Sequence, residues 1–306
     1  MKRAESAERV GALLAFLAAM GFSMKAIFVK LAYVWPVGAV TLMVLRMLFS
    51  CPAFAFVAWR AGKEAPPLAG KDKAWLIFLG AMGYYGSSVL DFYGLQYISA
   101  GLERFILFTY PTLTTLIAVV VFKRPLRRRE AGAILLSYAG IALVFAHDLN
   151  LAAEGETIWL GAGLVFASSL SYAIYLIGSG HMIVRLGSAR FTALCMLVST
   201  CGALLHFMVS ESLLVVLAQP WQVYALAGAM AAFSTVFPVF FLSAAIGRIG
   251  AARASLIGAI GPVGTIFFGW LWLDESISLH QMIGAGFVLA GVLLVSRGKG
   301  RTESRG

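Results

Sequence analysis

Charge is what this chain has least of. Charged residues make up 12% of its 306 and hydrophobic residues 60%, and mean hydropathy is +0.88. A soluble domain carries about twice that charged fraction, so a soluble globular fold is excluded and an integral membrane protein is implied. Cysteine is scarce as well. Cys51, Cys195 and Cys201 fall in apolar runs without metal-type spacing, so each reads as a buried, unpaired thiol and no metal site is expected. His147, His181, His206 and His280 are scattered, with no HExxH motif and no Ser/His/Asp set on one helical face. A GxxxxGK[ST] loop is missing too, so neither an enzymatic centre, a cofactor nor a direct ATP-driven step is expected.

What the chain does have is apolar stretches of membrane-spanning length. A hydrocarbon core of about 30 Å needs roughly 20 such residues. Ten stretches qualify, near 10–31, 36–59, 74–97, 101–122, 130–146, 157–179, 190–209, 222–246, 252–273 and 281–296. The fold class read from them is an all-α integral membrane protein of ten transmembrane helices. Of the 24 lysines and arginines, all but Lys25, Lys30, Arg46 and Arg104 lie in loops or tails that share one side. The opposite loops contain neither residue and carry Asp148, Glu154, Glu156, Glu211, Asp274 and Glu275. Because basic loops stay in the cytoplasm, both termini are predicted to be cytoplasmic. The net charge of +10 then suits an anionic inner leaflet, with membrane lipids as partners and no nucleic acid. The first apolar run is too long for a signal peptide, contains Lys25 and lacks a convincing cleavage site, so it reads as a retained helix.

The chain is also an internal duplication. Gly11–Lys25 aligns with Gly161–Tyr175, and Tyr97–Phe145 aligns without gaps with Arg248–Ser296, pairing Pro111 with Pro262 and Lys123-Arg124 with Asp274-Glu275. The divisions that follow are a cytoplasmic N-terminus at 1–9, a first repeat at 10–146, an extracytoplasmic linker at 147–156, a second repeat at 157–296 and a basic cytoplasmic tail at 297–306. Five helices per repeat is an odd number, so the second copy enters the membrane from the opposite face. The loop KRPLRRR is basic while its counterpart DESISLH is acidic, in agreement. Inverted halves can exchange roles, closing one side while opening the other, which is the sequence mark of alternating access. A channel is a poorer fit, since no filter sequence is apparent.

Ionisable residues inside a bilayer are costly, about 2.5–3.5 kcal/mol even on a lenient scale, and are therefore candidate site residues. Lys25, Arg46, Asp91, Glu103 and Arg104 all map to the middle or outer part of the first repeat. Tyr84, Ser88 and Asp91 follow i, i+4, i+7 spacing and form a polar stripe on the third helix. Asp91 has two readings at this point: a salt bridge to Lys25 or Arg46 that holds helices together, or, like Glu103, a site for a coupling proton or a solute amine. Arg46 and Arg104 present guanidinium forks suited to a carboxylate or phosphate. Three cations outnumber two carboxylates, which favours an anionic or zwitterionic solute. Ser168, Tyr172, Tyr175 and Ser179 line one face of the sixth helix, either as a wall for an organic solute or as a helix-packing stripe. Pro111 and Pro262, at matched points, are candidate hinges. The glycines of the fifth and tenth helices look like close-packing surfaces, leaving the oligomeric state open between monomer and homodimer.

The segments "TLMVLRMLFS" around Arg46, "LDFYGLQYISAGLERFILFTYPTL" at 90–113, the repeat endings "REAGAILLSYAGIALVF" and "HQMIGAGFVLAGVLLVS", and "GPVGTIFFGWLWLDESIS" at 261–278 carry a resemblance. The chain resembles the EamA-type carriers of the drug/metabolite transporter superfamily, as two repeats at about 11–145 and 159–296. That resemblance implies a carrier in the bacterial inner membrane with a cavity lined by helices 1, 3, 4, 6, 8 and 9. Lys25, Tyr84, Ser88, Asp91, Arg104, Phe108, Tyr172 and Tyr175 would lie on lining helices. It also implies export of a small organic metabolite, with a proton as candidate coupling ion. A lipid-linked or amphiphilic solute, moved in flippase fashion, is the rival expectation.

Overall fold

Every regular element among the described residues is helical, as a chain that must satisfy its own backbone in hydrocarbon requires. The computed structural model describes residues 2–63, 65, 67–123, 125–126, 128–151 and 155–299. Arg124, Arg127, Glu154, Arg301 and Arg305, which enter the charge pattern above, lie outside the described residues. The helices in order are α1 (Lys2–Ala32), α2 (Ala39–Gly62), α3 (Gly70–Gly80), α4 (Ser87–Gly94), α5 (Ala100–Leu107), α6 (Tyr110–Val121), α7 (Arg128–Leu151), α8 (Gly155–Leu186), α9 (Ser188–Ser210), α10 (Leu213–Leu217), α11 (Trp221–Ala231), α12 (Phe237–Gly258), α13 (Gly261–Leu273) and α14 (Leu279–Lys299). Two π-helical segments, Ala81–Gly86 and Ala232–Val236, join α3 to α4 and α11 to α12.

Seven stretches among the described residues are long and apolar enough to cross a bilayer. Three further stretches expected from sequence are helical but divided or shorter. The 74–97 stretch is split by the π segment between α3 and α4, 252–273 is divided between α13 and the part of α12 that follows its non-helical Gly250 (φ 79°), and 281–296 lies within α14. Helix also reaches into segments read as tails or linker: α1 begins at Lys2, α7 runs to Leu151 and α14 to Lys299. No proline stands in those flanks, so the flanking helices carry on past the apolar span.

The packing follows the repeat. α1 lies on α12 and α13, and its counterpart α8 lies on α3, α4, α5 and α6; α2 pairs with α9, and α7 with α14. Small residues set the last of these contacts. A Cβ on Gly140 would stand 2.7 Å from the Gly284 carbonyl, and one on Gly284 would stand 2.9 Å from that of Gly140. These glycines therefore serve the α7–α14 crossing within one chain. Of the cysteines, Cys195 is buried as expected, whereas Cys51 is half-buried and Cys201 is exposed; all three thiols are free. Cys201 departs from the burial expected because an apolar helix has a lipid face as well as a packed one.

Backbone irregularities recur at matched positions. α5 ends at a break where the Thr109 N–H donates to Ile106 O at 3.0 Å, and one repeat later the Ile260 N–H donates to Ile257 O at 3.2 Å. Pro111 and Pro262 then stand in the first turns of α6 and α13. Proline is favoured in a first turn, where its fixed φ suits the helix and its missing N–H costs least. The breaks thus precede the prolines, and neither proline lies in the interior of an unbroken helix. Among the described residues, the non-glycine residues with positive φ are Lys123 at 49° and Asp274 at 54°, also a repeat-related pair.

Candidate functional site

The charges that sequence placed within the membrane converge from three helices. Lys25, most of the way along α1, donates from Nζ to Asp91 Oδ2 of α4 at 2.6 Å and to Glu103 Oε1 of α5 at 3.0 Å. The Lys25 side chain is 17% exposed, while Asp91 and Glu103 are nearly inaccessible. One ammonium therefore bridges two buried carboxylates. Each carboxylate keeps one buried oxygen without a partner, Asp91 Oδ1 and Glu103 Oε2. The salt bridge from Asp91 to Lys25 foreseen in sequence is present, and Glu103 joins it.

Two guanidinium groups flank this trio. Arg46, buried on α2, donates from Nη2 to Ser88 Oγ at 2.9 Å and lies over the Phe92 ring at 4.9 Å. Arg104, buried next to Glu103 on α5, lies over the Phe108 ring at 4.9 Å. Its Nη2 would stand 2.7 Å from a Cβ on Gly261, so that glycine of α13 makes room for the guanidinium. The Nε atoms of both arginines are buried and unpartnered. Four buried polar atoms without a partner thus gather around one ammonium.

Tyr84 departs from the stripe expected on the third helix. Ser88 reaches Arg46 and Asp91 reaches Lys25, but Tyr84 meets Tyr175, with the hydroxyls 3.3 Å apart and the rings edge-on at 5.1 Å. The π segment Ala81–Gly86 widens the turn that holds Tyr84, so the i, i+4, i+7 register of a regular helix does not carry through it. Tyr175 in turn stacks on Tyr172 at 5.6 Å. Tyr110, which sequence reading missed, completes the row, 5.2 Å from Tyr172 and 6.0 Å from Phe108. Its sequence signal was its place directly before Pro111, at the helix break. On α8 the serines serve packing: Ser168 Oγ donates to Ser87 O at 2.7 Å, and Ser179 Oγ donates to Leu176 O of its own helix at 2.8 Å.

A second polar region sits at the N-terminal end of α5. Ser99 Oγ caps the helix, accepting from Leu102 N at 3.0 Å. Glu275 accepts from the Ala100 N–H at 3.0 Å and the Gly101 N–H at 3.4 Å. An anion on a helix N-terminus is favourable, and it ties the turn after α13 to α5. A cavity of about 310 Å³ lined by Ser99, His147, Asp148, Glu275 and Gln281 adjoins this point, one helical turn from Glu103. No group of three metal-ligating side chains occurs among the described residues.

The chain is 30% identical over 298 residues to an uncharacterized transporter, YcbK, of Bacillus subtilis, with 92% of each chain covered. A second relative, an S-adenosylmethionine/S-adenosylhomocysteine transporter of Chlamydia trachomatis, is 25% identical over 72% of this chain and 69% of its own. A solved crystal structure superposes with a TM-score of 0.63 over 96% of this chain and 98% of the other at 16% identity, a likeness of fold alone. The sequence profile of the EamA-like transporter family matches residues 9–146 and again 159–297. Two copies of that profile account for nearly the whole of this multi-pass membrane protein, and the chain belongs to the EamA-like transporter family.

Proposed function

We propose that this chain is a secondary carrier that exports a small zwitterionic or anionic organic solute across the bacterial inner membrane, by alternating access of two inverted five-helix repeats. One observation carries the solute class. Lys25, Arg46 and Arg104 bring three positive charges to a buried region that holds two carboxylates, Asp91 and Glu103. A solute carboxylate brings the group to neutrality. The unpartnered Nε atoms of Arg46 and Arg104 supply donors for it, and a guanidinium matches a carboxylate in shape. A solute ammonium would compete with Lys25 for the free oxygens of Asp91 and Glu103. Either carboxylate is also a candidate carrier of a coupling proton, since a proton relieves the same unpaired negative charge. The amino-acid end of S-adenosylmethionine, which one relative carries by name, has this zwitterionic chemistry.

Ten membrane crossings, divided as 10–146 and 157–296, account for the irregularities. The breaks at Thr109 and Ile260, the prolines at 111 and 262, the π segments and the positive-φ residues Lys123 and Asp274 all recur at one spacing. Repeats that enter from opposite faces would present these weak points to opposite sides, as alternating access needs. Pro111 and Pro262 then mark the bending points, and the basic loops keep both termini in the cytoplasm. α5 packs on α8, α13, α7 and α1, whereas α6 packs chiefly on α8 and α7; the additional contacts of α5, with Glu275 bridging to it, support closure at the acidic, outer end and a cytoplasmic approach to the charges.

The reading is tested in sealed proteoliposomes loaded with radiolabelled amino acids, organic acids or S-adenosylhomocysteine, with exchange followed against the same external solute. Wild-type protein should exchange at least one carboxylate-bearing solute. Asp91→Asn should lose that exchange, or its dependence on a pH gradient, while eluting as a folded species. Exchange confined to amphiphiles, or an Asp91→Asn carrier with unchanged flux and pH dependence, would overturn it.

A further inference from the structure

The two ends of the repeat are sealed by unequal means. Ile98 and Ile249 are repeat mates, as are Gly161 and Gly11, and the fold keeps both pairs together. A Cβ on Gly161 would stand 2.8 Å from Ile98 Cγ2, and one on Gly11 would stand 2.6 Å from Ile249 Cγ2. On the orientation proposed above, the same crossing marks the outer end in one case and the cytoplasmic end in the other. Yet Ile98 is buried at 3% exposure, while Ile249 is half-buried. The helix starts beside these residues differ as well. Ser99, with ψ of 157°, caps α5 and accepts from Leu102 N. Its mate Gly250, with ψ of 156° and φ of 79°, is where α12 restarts, and it has no side chain to cap the new turn. At α5 the Ala100 and Gly101 N–H groups donate to the two oxygens of Glu275, at 3.0 and 3.4 Å. The Glu275 N–H is itself tied to Gly269 O at 3.2 Å, and a Cβ on Gly269 would stand 3.0 Å from Glu275 Oε2, so the end of α13 seats the carboxylate. The mate of Glu275 is Arg124, which lies outside the described residues and carries the wrong charge for a helix N-terminus. What meets the restarted α12 is Glu8 of α1, through an ion pair with Arg253 whose side chains are 60% and 64% exposed. Such exposed pairs stabilise little. The other cytoplasmic ion pair, Arg185 with Asp72 at 3.0 Å, joins α8 to α3 and leaves α12 untouched.

We propose that Glu275 is a positioning residue that latches the outer end. Its carboxylate holds the first turn of α5 against the second repeat, and with it Glu103 and Arg104 one turn further on, so that the empty carrier rests open to the cytoplasm. This rests on the inverted, outer-closed reading above and adds the residue that sets the balance between the two ends. Hydrogen bonds from backbone N–H groups to a carboxylate are charge-assisted and stronger than neutral ones. The anion also sits on the positive end of α5. Moving α5 away from the turn after α13 breaks both bonds and separates these charges at once, whereas opening at Gly250 breaks an exposed pair. Release of Glu275 from Ala100 and Gly101 is therefore the step that opens the outer side.

The test uses the full-length chain with Cys51, Cys195 and Cys201 replaced, and with Ile98→Cys or Ile249→Cys as the reporter of one end. A membrane-impermeant maleimide probes Ile98→Cys on intact spheroplasts and Ile249→Cys on inside-out vesicles. Glu275→Gln keeps the shape of the side chain and removes its charge. It should raise labelling of Ile98→Cys about tenfold, the population change that loss of one charge-assisted hydrogen bond supplies, and leave labelling of Ile249→Cys no higher. If Glu275→Gln does not reach the membrane, Gly269→Ala, which crowds the same carboxylate, takes its place with the same expectation. A rise at both reporters is general loosening and overturns the latch. Labelling that moves at neither also overturns it and leaves the outer-closed reading standing. Ile98→Cys labelled as readily as Ile249→Cys before Glu275 is changed overturns the outer-closed reading itself.

Discussion

Lys25 brings one positive charge to two carboxylates, and that imbalance makes it the residue most sensitive to change. Lys25→Met would leave Asp91 and Glu103 facing each other with no ammonium between them, only the flanking guanidinium groups of Arg46 and Arg104. Removing one member of a buried ionic group costs about 3–5 kcal/mol, and the partial exposure of the Lys25 side chain places the expected loss near the lower figure. The triple variant Lys25→Met, Asp91→Asn, Glu103→Gln removes every charge of the trio and should recover most of the melting temperature without recovering transport. A triple variant no more stable than Lys25→Met would show that charge pairing is not what holds these helices. These residues were legible in the sequence because an ionisable side chain in an apolar run is conspicuous. Their partners were not: Lys25 is 66 positions from Asp91 and 78 from Glu103, and only the meeting of α1, α4 and α5 decides that both carboxylates share one ammonium. Tyr110 escaped notice for the opposite reason, since an aromatic residue in an apolar run signals little beyond its place before Pro111 until its neighbours across the helix break are known.

At the scale of elements, the break between α5 and α6 is held open by a specific exchange of hydrogen bonds. Pro111 has no N–H for the carbonyl four residues back, that of Leu107, and Ser169 Oγ of α8 donates to this carbonyl at 3.1 Å. Ser169 also lies 2.7 Å from Thr109 Oγ1. Hydrogen bonds between membrane helices average about 0.6 kcal/mol, so Ser169→Ala should lower stability by roughly that amount or somewhat more, because it strands a buried carbonyl. In a Pro111→Ala background the new N–H can serve Leu107, and Ser169→Ala should then cost measurably less. A double-mutant cycle on the detergent melting curves reads the difference; additive effects would separate the serine from the break. The prolines were visible in sequence, and so was their pairing across the repeat. The π segments were not, since neither Ala81–Gly86 nor Ala232–Val236 contains a proline, and their mix of small, aromatic and hydroxyl residues occurs equally in regular membrane helices. Their presence shifts the register of Tyr84 away from Ser88 and Asp91, which is why a stripe drawn at regular helical spacing joined residues that the fold separates.

For the whole molecule, the sequence-level argument is one of orientation: basic loops on one side, acidic loops on the other, and an odd number of helices in each repeat. The repeat-related positive-φ residues Lys123 and Asp274 mark the same turn in two copies that should face opposite compartments. Leu126 follows the first of these turns and Ser276 the second, and both are exposed. In a background with Cys51, Cys195 and Cys201 replaced by serine or alanine, single variants Leu126→Cys and Ser276→Cys give reporters at nearly equivalent points of the two repeats. A membrane-impermeant maleimide added to intact spheroplasts should label Ser276→Cys and spare Leu126→Cys until the membrane is opened. If the two label from the same face, the repeats are parallel, and rocking of inverted halves is no longer available as the mechanism. Labelling from opposite faces would give the matched breaks at Thr109 and Ile260 opposite exposures, so that bending one opens the cytoplasmic side of the charged group and bending the other opens the outer side.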